Sequence, residues 1–501
     1  MSSIGPLPRL LAVGLGVLVA PLDSSVNVAF PYMTDHFSVP ISDTKLIVVS
    51  FILTSISLML ISGRAGDVWG HRRVFQTGLA ISAAALALDA AAPSFSILLA
   101  ARVAQGVGAA LIFGSGPALA IGLYPENRRG LVIGAYGMMF AAGMAGGPYI
   151  GGLLVDAWDW PAVFWFRVPI ALAALALSPL LPPPRRAAPD RPDTPARFDF
   201  TGAALLGAGI AALFTAINMI WAGGLTWLGF AAISVLAFAF FIRRQARHPQ
   251  PIIDLKYFRA PWFSGLAGAS VLINLASFVI MLLTPFYFRR ISGLGAGDAG
   301  LVLASYPAGL ALAALATGRI LGAIDLRVRA TQLSARALAA RFLVLAPLVG
   351  AAGLWLVGGW NTATGLGAML AGMVLAGLGL GIFQASYFYT VTGEMPRADR
   401  GVAGSLAEMT RATGYLAAAS LLFELFRVIS DDAAAAGAGA DAAFLAGFQA
   451  TLHWAAALSA AVFVLALISA RGQGRQGGGA KPNGAKPDGA KPDGAKDGRS
   501  G

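Results

Sequence analysis

Gly63-Arg64-Ala65-Gly66-Asp67-Val68-Trp69-Gly70-His71-Arg72-Arg73 is a polar, glycine-rich joint between two apolar runs, 44–62 and 74–93. Each run has about the twenty residues that an α-helix needs to cross a hydrocarbon core. The glycines let two helix ends meet in a tight turn, Asp67 is of a type that caps a helix N-terminus, and Arg72 and Arg73 suit a cytoplasmic interface. These residues read as a membrane hairpin, and the pattern repeats along the chain. Working outward, apolar runs fall at 7–32, 96–124, 131–156 and 161–181, then at 200–221 and 225–242. Six more follow at 262–288, 299–318, 338–358, 362–391, 401–429 and 444–470. The expectation is an all-α membrane protein of fourteen transmembrane helices in a 6 + 2 + 6 order.

The segments between the runs divide the chain. Residues 1–181 form a first six-helix bundle, and 182–199 a proline-rich cytoplasmic linker. An inserted hairpin spans 200–242 and a basic loop 243–261. A second bundle covers 262–470 and a low-complexity tail 471–501. The basic stretch 318–341 reads as a loop grading into the eleventh span. The tail nearly repeats Gly-Ala-Lys-Pro-Asp and cannot bury a core, which predicts disorder.

Composition excludes several functions. Of 501 residues, 57% are hydrophobic and 12% charged, against about a quarter charged in a soluble domain. There is no cysteine, hence no disulfide, thiol nucleophile or cysteine-ligated metal, and four scattered histidines suggest no metal site. No nucleophile–base pair or phosphate-binding loop is visible, so neither an enzyme nor a cofactor is expected. The net charge of +12 reflects orientation. With an even number of spans both termini share a side, and 29 of the 36 lysines and arginines fall on that side against 5 opposite, among them Lys45 and Arg167. Such an excess marks the cytoplasm. Nucleic acid is therefore not a partner; the lipid bilayer is.

Three further motifs join the opening one. They are Leu22-Asp23-Ser24-Ser25-Val26-Asn27-Val28-Ala29-Phe30-Pro31 in span 1, Arg102-Val103-Ala104-Gln105-Gly106 in span 4, and Gly143-Met144-Ala145-Gly146-Gly147-Pro148-Tyr149-Ile150-Gly151-Gly152 in span 5. Together they resemble the major facilitator superfamily and, within it, the fourteen-spanner drug:proton antiporters of the EmrB/QacA type. The joint matches the family's signature loop, with Gly63, Asp67, Gly70, Arg72 and Arg73 as gating residues, although Val68 replaces the usual arginine. Gly143, Gly147, Pro148, Gly151 and Gly152 match its antiporter motif. Trp158-Asp159-Trp160 and Phe166-Arg167 resemble a tryptophan-rich segment, with Asp159 and Arg167 where basic and amide residues are usual. The resemblance implies a bacterial cytoplasmic (inner) membrane transporter that exports lipophilic, cationic drugs against a proton gradient, a role tied to antibiotic resistance. Its partners would be a small molecule and protons, with a periplasmic adaptor left open.

A charged residue deep in a span costs about 2.5–3.5 kcal/mol on insertion scales, so each calls for a reason. Asp23 shares a helical face with Asn27 and reads as a proton-coupling group, with Arg102 as its counter-ion beside Gln105. A permanent bracing ion pair is the alternative. Glu408 reads as a second proton or cation site, although Arg411, three residues on, can neutralise it along the helix. Asp89 and Glu424 lie near span ends and read as interfacial. In the superfamily's fold the first and fourth helices of each half line the cavity. Asn27, Gln105, Asn274, Phe278, Met281, Gln384 and Tyr387 are then candidate substrate contacts. An exporter of one metabolite or antibiotic, an uptake symporter and a non-transporting membrane sensor are the rival readings.

Overall fold

In a bilayer no water satisfies exposed backbone groups, so spanning segments close their hydrogen bonds internally as helices. The computed structural model describes residues 6–123, 129–181, 199–220, 224–248, 257–327, 332–394 and 400–477, and no strand occurs among them. Thirteen helical segments among the described residues are long and apolar enough to cross a membrane. Together with one further helix, α3, they run in chain order from α1 (Pro8–Phe37) through α2 (Lys45–Trp69), α3 (His71–Ala90), α4 (Phe95–Gly122), α5 (Arg129–Trp158) and α6 (Ala162–Leu180). A hairpin, α7 (Phe200–Ile220) and α8 (Thr226–Gln245), separates these from α9 (Pro261–Tyr287), α10 (Ala296–Arg327) and α11 (Gln332–Gly358). The last three are α12 (Leu366–Glu394), α13 (Ala407–Ala435) and α14 (Ala440–Gly477).

The expectations are met unevenly. α3 is a 20-residue helix, but Arg73, Gln76 and Asp89 keep it below the apolarity of the other thirteen. The basic stretch 318–341 is not a loop over most of its length. α10 continues to Arg327 and α11 begins at Gln332. The linker at 182–198, the loop residues 249–256, the tail from 478 and the Asp67 side chain lie outside the described residues.

Helix packing assembles two bundles. Within the first, α4 packs against α2 and α3, and α6 against α1 and α3; within the second, α12 packs against α10 and α11, and α14 against α9 and α11. Across the interface the partners are α5 with α10, α2 with α13 and α1 with α9. The fifth helix of each half thus meets the second helix of the other, and the two first helices meet on the axis, as expected of two related halves. The hairpin lies at the periphery, α7 against α2, and α8 turns Leu228, Val235, Leu236, Phe240 and Ile242 outward.

One residue clamps the hairpin. Fully buried Asp199 accepts the Gly202 N–H at 2.7 Å, capping α7, and receives the side chains of Arg244 and Gln245 from α8. Burial pushes the Asp199 carboxyl up, but the bonds from Arg244 and Gly202 outweigh it and hold the group below the ordinary carboxylate value.

Candidate functional site

Pro21 has no N–H to continue the helix it enters, and α1 tightens there. It runs as α-helix to Val19, as a 3-10 turn over Pro21–Ser25, and as α-helix again over Val26–Phe37. Asp23 and Asn27 therefore do not share one continuous α-helical face, as the sequence suggested. Asp23 sits at the break, and the break aims it at α4 and α6.

There the carboxylate accepts four hydrogen bonds. Arg102 grips it with both terminal nitrogens, each at 2.7 Å, while Arg167 Nη1 donates at 2.7 Å and Gln105 Nε2 at 3.1 Å. Arg102 is held in turn by the Ile47 carbonyl at 3.1 Å and the Gln105 side-chain oxygen at 2.6 Å, with its guanidinium 4.5 Å from the centre of the Phe51 ring. Arg167 Nε donates to the Val163 carbonyl at 3.1 Å. Such charge-assisted, bidentate bonds are the strong ones. They join α1, α4 and α6 at one carboxylate.

Arg167 was missed as a partner because it follows a tryptophan-rich turn and reads as a loop cation. In the structure it is fully buried. Asp89 and Glu424 are also buried, not interfacial. Glu424 takes Lys45 at 3.2 Å and Arg427 at 2.6 Å, so Lys45 is likewise not a loop charge. Neither oxygen of Asp89 has a hydrogen-bond partner among the described residues. The available signal was a charge a turn or two inside the end of an apolar run.

Only 15% of the Asp23 side chain is exposed. It contributes, with Ser24 and Asn27, to a cavity of about 150 Å³ between the bundles, whose opposite wall includes Phe278, Met281, Glu408, Arg411 and Tyr415. Asn27 donates to the sulfur of Met281 at 3.7 Å across the interface, and Phe278 stacks on Tyr415 with centroids 4.1 Å apart. Glu408 and Arg411 pair along α13. A neighbouring cavity of about 410 Å³ shares Glu408, Arg411 and Tyr415 and adds Asn274, Gln384 and Tyr387; Gln384 donates to Asn274 at 3.2 Å. Gln105 lines neither cavity: it is buried behind the carboxylate. Helices α2, α5, α10 and α13 contribute walls besides the expected first and fourth helices, because the crossed pairing brings them to the interface.

The glycines of α5 make room for the break in α1. A Cβ on Gly151 would stand 2.8 Å from both the side chain and the carbonyl of Ser25, and Gly147 is closed off by Ser24 and Ser25 in the same way. Gly143 lies against Pro21, and Ser24 Oγ donates to the Met144 carbonyl at 3.1 Å. Another face of α5 carries Pro148 and Gly152 against Gly300 of α10. One small-residue helix thus touches the Asp23 turn and the other bundle.

Residues 13–419 match the family model described as Major Facilitator Superfamily. The chain belongs to that superfamily. It is a multi-pass membrane transporter. Among its relatives is the tetracenomycin C resistance and export protein of Streptomyces glaucescens, 30% identical over 420 residues, covering 82% of this chain and 74% of that protein. Another is the multidrug resistance protein Stp of Mycobacterium tuberculosis (strain CDC 1551 / Oshkosh), 28% identical over 329 residues, 64% of this chain and 60% of that one. The fold is similar to the crystal structure of a bacterial homolog of the human lysosomal transporter Spinster in an inward-facing, unoccupied conformation. Its TM-score is 0.63 at 15% identity, covering 94% of this chain and 98% of that one.

In this facilitator the signature loop is tighter than a capped turn. Gly70 closes α2 and opens α3 at φ 92°, a left-handed value that favours glycine, and makes no side-chain cap. Arg72 donates to the Leu181 carbonyl at 3.0 Å, binding the loop to the end of α6, while Arg73 is exposed. Gly63 faces Gly114 where α2 crosses α4. At the opposite end of the bundles, polar contacts cross the interface. Besides Lys45 with Glu424, Arg289 donates to Asp35 at 2.8 Å, and Asp156 accepts the N–H groups of Ala296 and Gly297 at 2.9 and 2.7 Å.

Proposed function

We propose that the protein is a proton-coupled efflux antiporter for lipophilic, cationic compounds, of the fourteen-spanner drug:proton type. α3 would be the fourteenth span and both termini would be cytoplasmic, so the polar contacts at the far end seal the outer face. The observation that carries the reading is Asp23, a carboxylate shared by three helices yet open on one side to a cavity between the bundles. Protonating it would cancel the charge that holds Arg102 and Arg167, loosening α1 against α4 and α6 where α1 also meets α9. Proton loading and bundle rocking are thereby linked. The cavity supports the substrate class: Phe278, Tyr415, Met281 and Met144 offer aromatic and soft apolar contact, and Glu408 an acidic group, to a flat cation.

In this reading Arg102, Arg167 and Arg411 tune the acids, and the signature loop and α5 gate. The proton gradient is the energy source, and the bacterial cytoplasmic membrane is the setting. Inverted vesicles given a lipophilic-dye panel and an imposed pH difference test it. Dye accumulation that follows the gradient is expected, and accumulation indifferent to it overturns the reading. The tetracenomycin C resistance and export relative favours a second reading, export of one antibiotic, which the same panel separates by the width of substrates accepted.

A further inference from the structure

Asp89 lies one residue from the end of α3, on the sealed side of the bundle, with no exposed surface and no hydrogen-bond partner for either carboxyl oxygen among the described residues. Its electrostatic neighbours are Arg102, Arg167 and Asp23. Arg167 commits Nη1 to Asp23 and Nε to Val163, while its buried Nη2 has no hydrogen-bond partner among the described residues. Among the described residues one guanidinium therefore has a spare donor, and a buried carboxyl within its electrostatic reach has two spare acceptors. The charged residues facing Asp89 from the elements packed on α3 are Arg102 of α4 and Arg167 of α6; on α2, Lys45 is turned onto Glu424. Asp23 takes every bond these arginines give to a carboxylate. A carboxylate buried with no hydrogen bond among the described residues is the costly form, and the neutral acid the cheap one.

Resting on the reading of Asp23 as the coupling group, we propose that Asp89 is a second proton-binding site, loaded from the outer side, which passes its proton to Asp23 as Arg167 shifts from one carboxyl to the other. In that step an O–H bond breaks on Asp89 and one forms on Asp23. The new Asp89 carboxylate takes the Arg167 donors that Asp23 gives up, and the cluster's net charge is unchanged. Proton entry and release to the cavity then occur at different carboxyls, so no single group has to face both sides.

Infrared spectroscopy of the protein in proteoliposomes at neutral pH tests the assignment. A protonated-carboxyl C=O band, shifting in heavy water, is expected in the wild type, and its loss is expected in Asp89→Asn. A band that survives in Asp89→Asn, or none in the wild type, overturns the proposal. Should Asp89→Asn fail to reach the membrane, Asp89→Glu keeps the test, because the band must then move in frequency. In vesicles, gradient-driven dye accumulation is expected to fall about 10²-fold in Asp89→Asn, as when a positioned proton-transfer group is removed, and to recover partly in Asp89→Glu. Wild-type accumulation in Asp89→Asn refutes the relay. Gradient-independent transport by the wild type itself refutes instead the functional reading beneath it, leaving the infrared result to judge Asp89 separately.

Discussion

Asp23→Asn removes the one charge that two buried arginines share. Arg102 is 1% and Arg167 0% exposed at the side chain, so neither can turn to water when its partner is neutralised. Breaking a buried ion pair by removing one partner costs about 3–5 kcal/mol, because the other charge stays buried. For a bundle of this size, at about 2–4 °C per kcal/mol, the melting temperature should fall by about 6–20 °C. Asp89 sets the lower end, since its ionisation beside the arginines would supply a replacement charge. The ten tryptophans allow the melt to be followed by intrinsic fluorescence in detergent. Arg167→Gln placed on Asp23→Asn removes one of the two unmatched cations and should recover about half the loss, whereas alone it should destabilise. An Asp23→Asn protein that melts with the wild type, or a double variant less stable than the single one, would refute the ion-pair argument.

Gly151→Leu should cost about 1–3 kcal/mol by overpacking and displace the Pro21–Ser25 turn, so that vesicle transport falls further than membrane abundance measured by blot. Glu424→Gln should weaken the outer seal at Lys45. Because the chain has no cysteine, Asn27→Cys is a clean reporter, and its labelling by an impermeant thiol reagent from outside should rise when Glu424→Gln is added; unchanged labelling counts against the seal. Asp199 has its carboxyl held below the ordinary value, so its contribution is present above about pH 4 and lost as pH falls through the lower folded value. Hydrogen exchange at the start of α7 should accelerate over that range in the wild type and lose that pH dependence in Asp199→Asn.

Much of the fold was legible in the sequence because the length of an apolar run that crosses a membrane is a simple rule. The helices on either side of Gly63, the all-helical membrane fold and the pairing of Asp23 with Arg102 all follow from spacing and the expense of charge in hydrocarbon. What escaped reading was set by three-dimensional convergence. Arg167 belongs to a different helix from Arg102 and looks like an anchor at a helix end, and only folding delivers both to one carboxylate. Asp89 and Glu424 are near span ends in sequence, yet neighbouring helices cover them, so distance from the end did not measure burial. The break at Pro21 was visible as a proline, but not its consequence, a 3-10 turn that brings Asp23 to the side chains of α4 and α6. The candidate cavity was placed on too few helices because crossed pairing of second and fifth helices cannot be read from a single span.

The central claim is that Asp23 exchanges a proton for substrate, and substrate-evoked proton release measures it directly. Purified protein in weak buffer with a pH-sensitive dye, mixed with a lipophilic cation it transports, should release protons, with release absent in Asp23→Asn. Equal release in both, or transport by the wild type that continues at full rate once the pH difference is collapsed, would contradict the account.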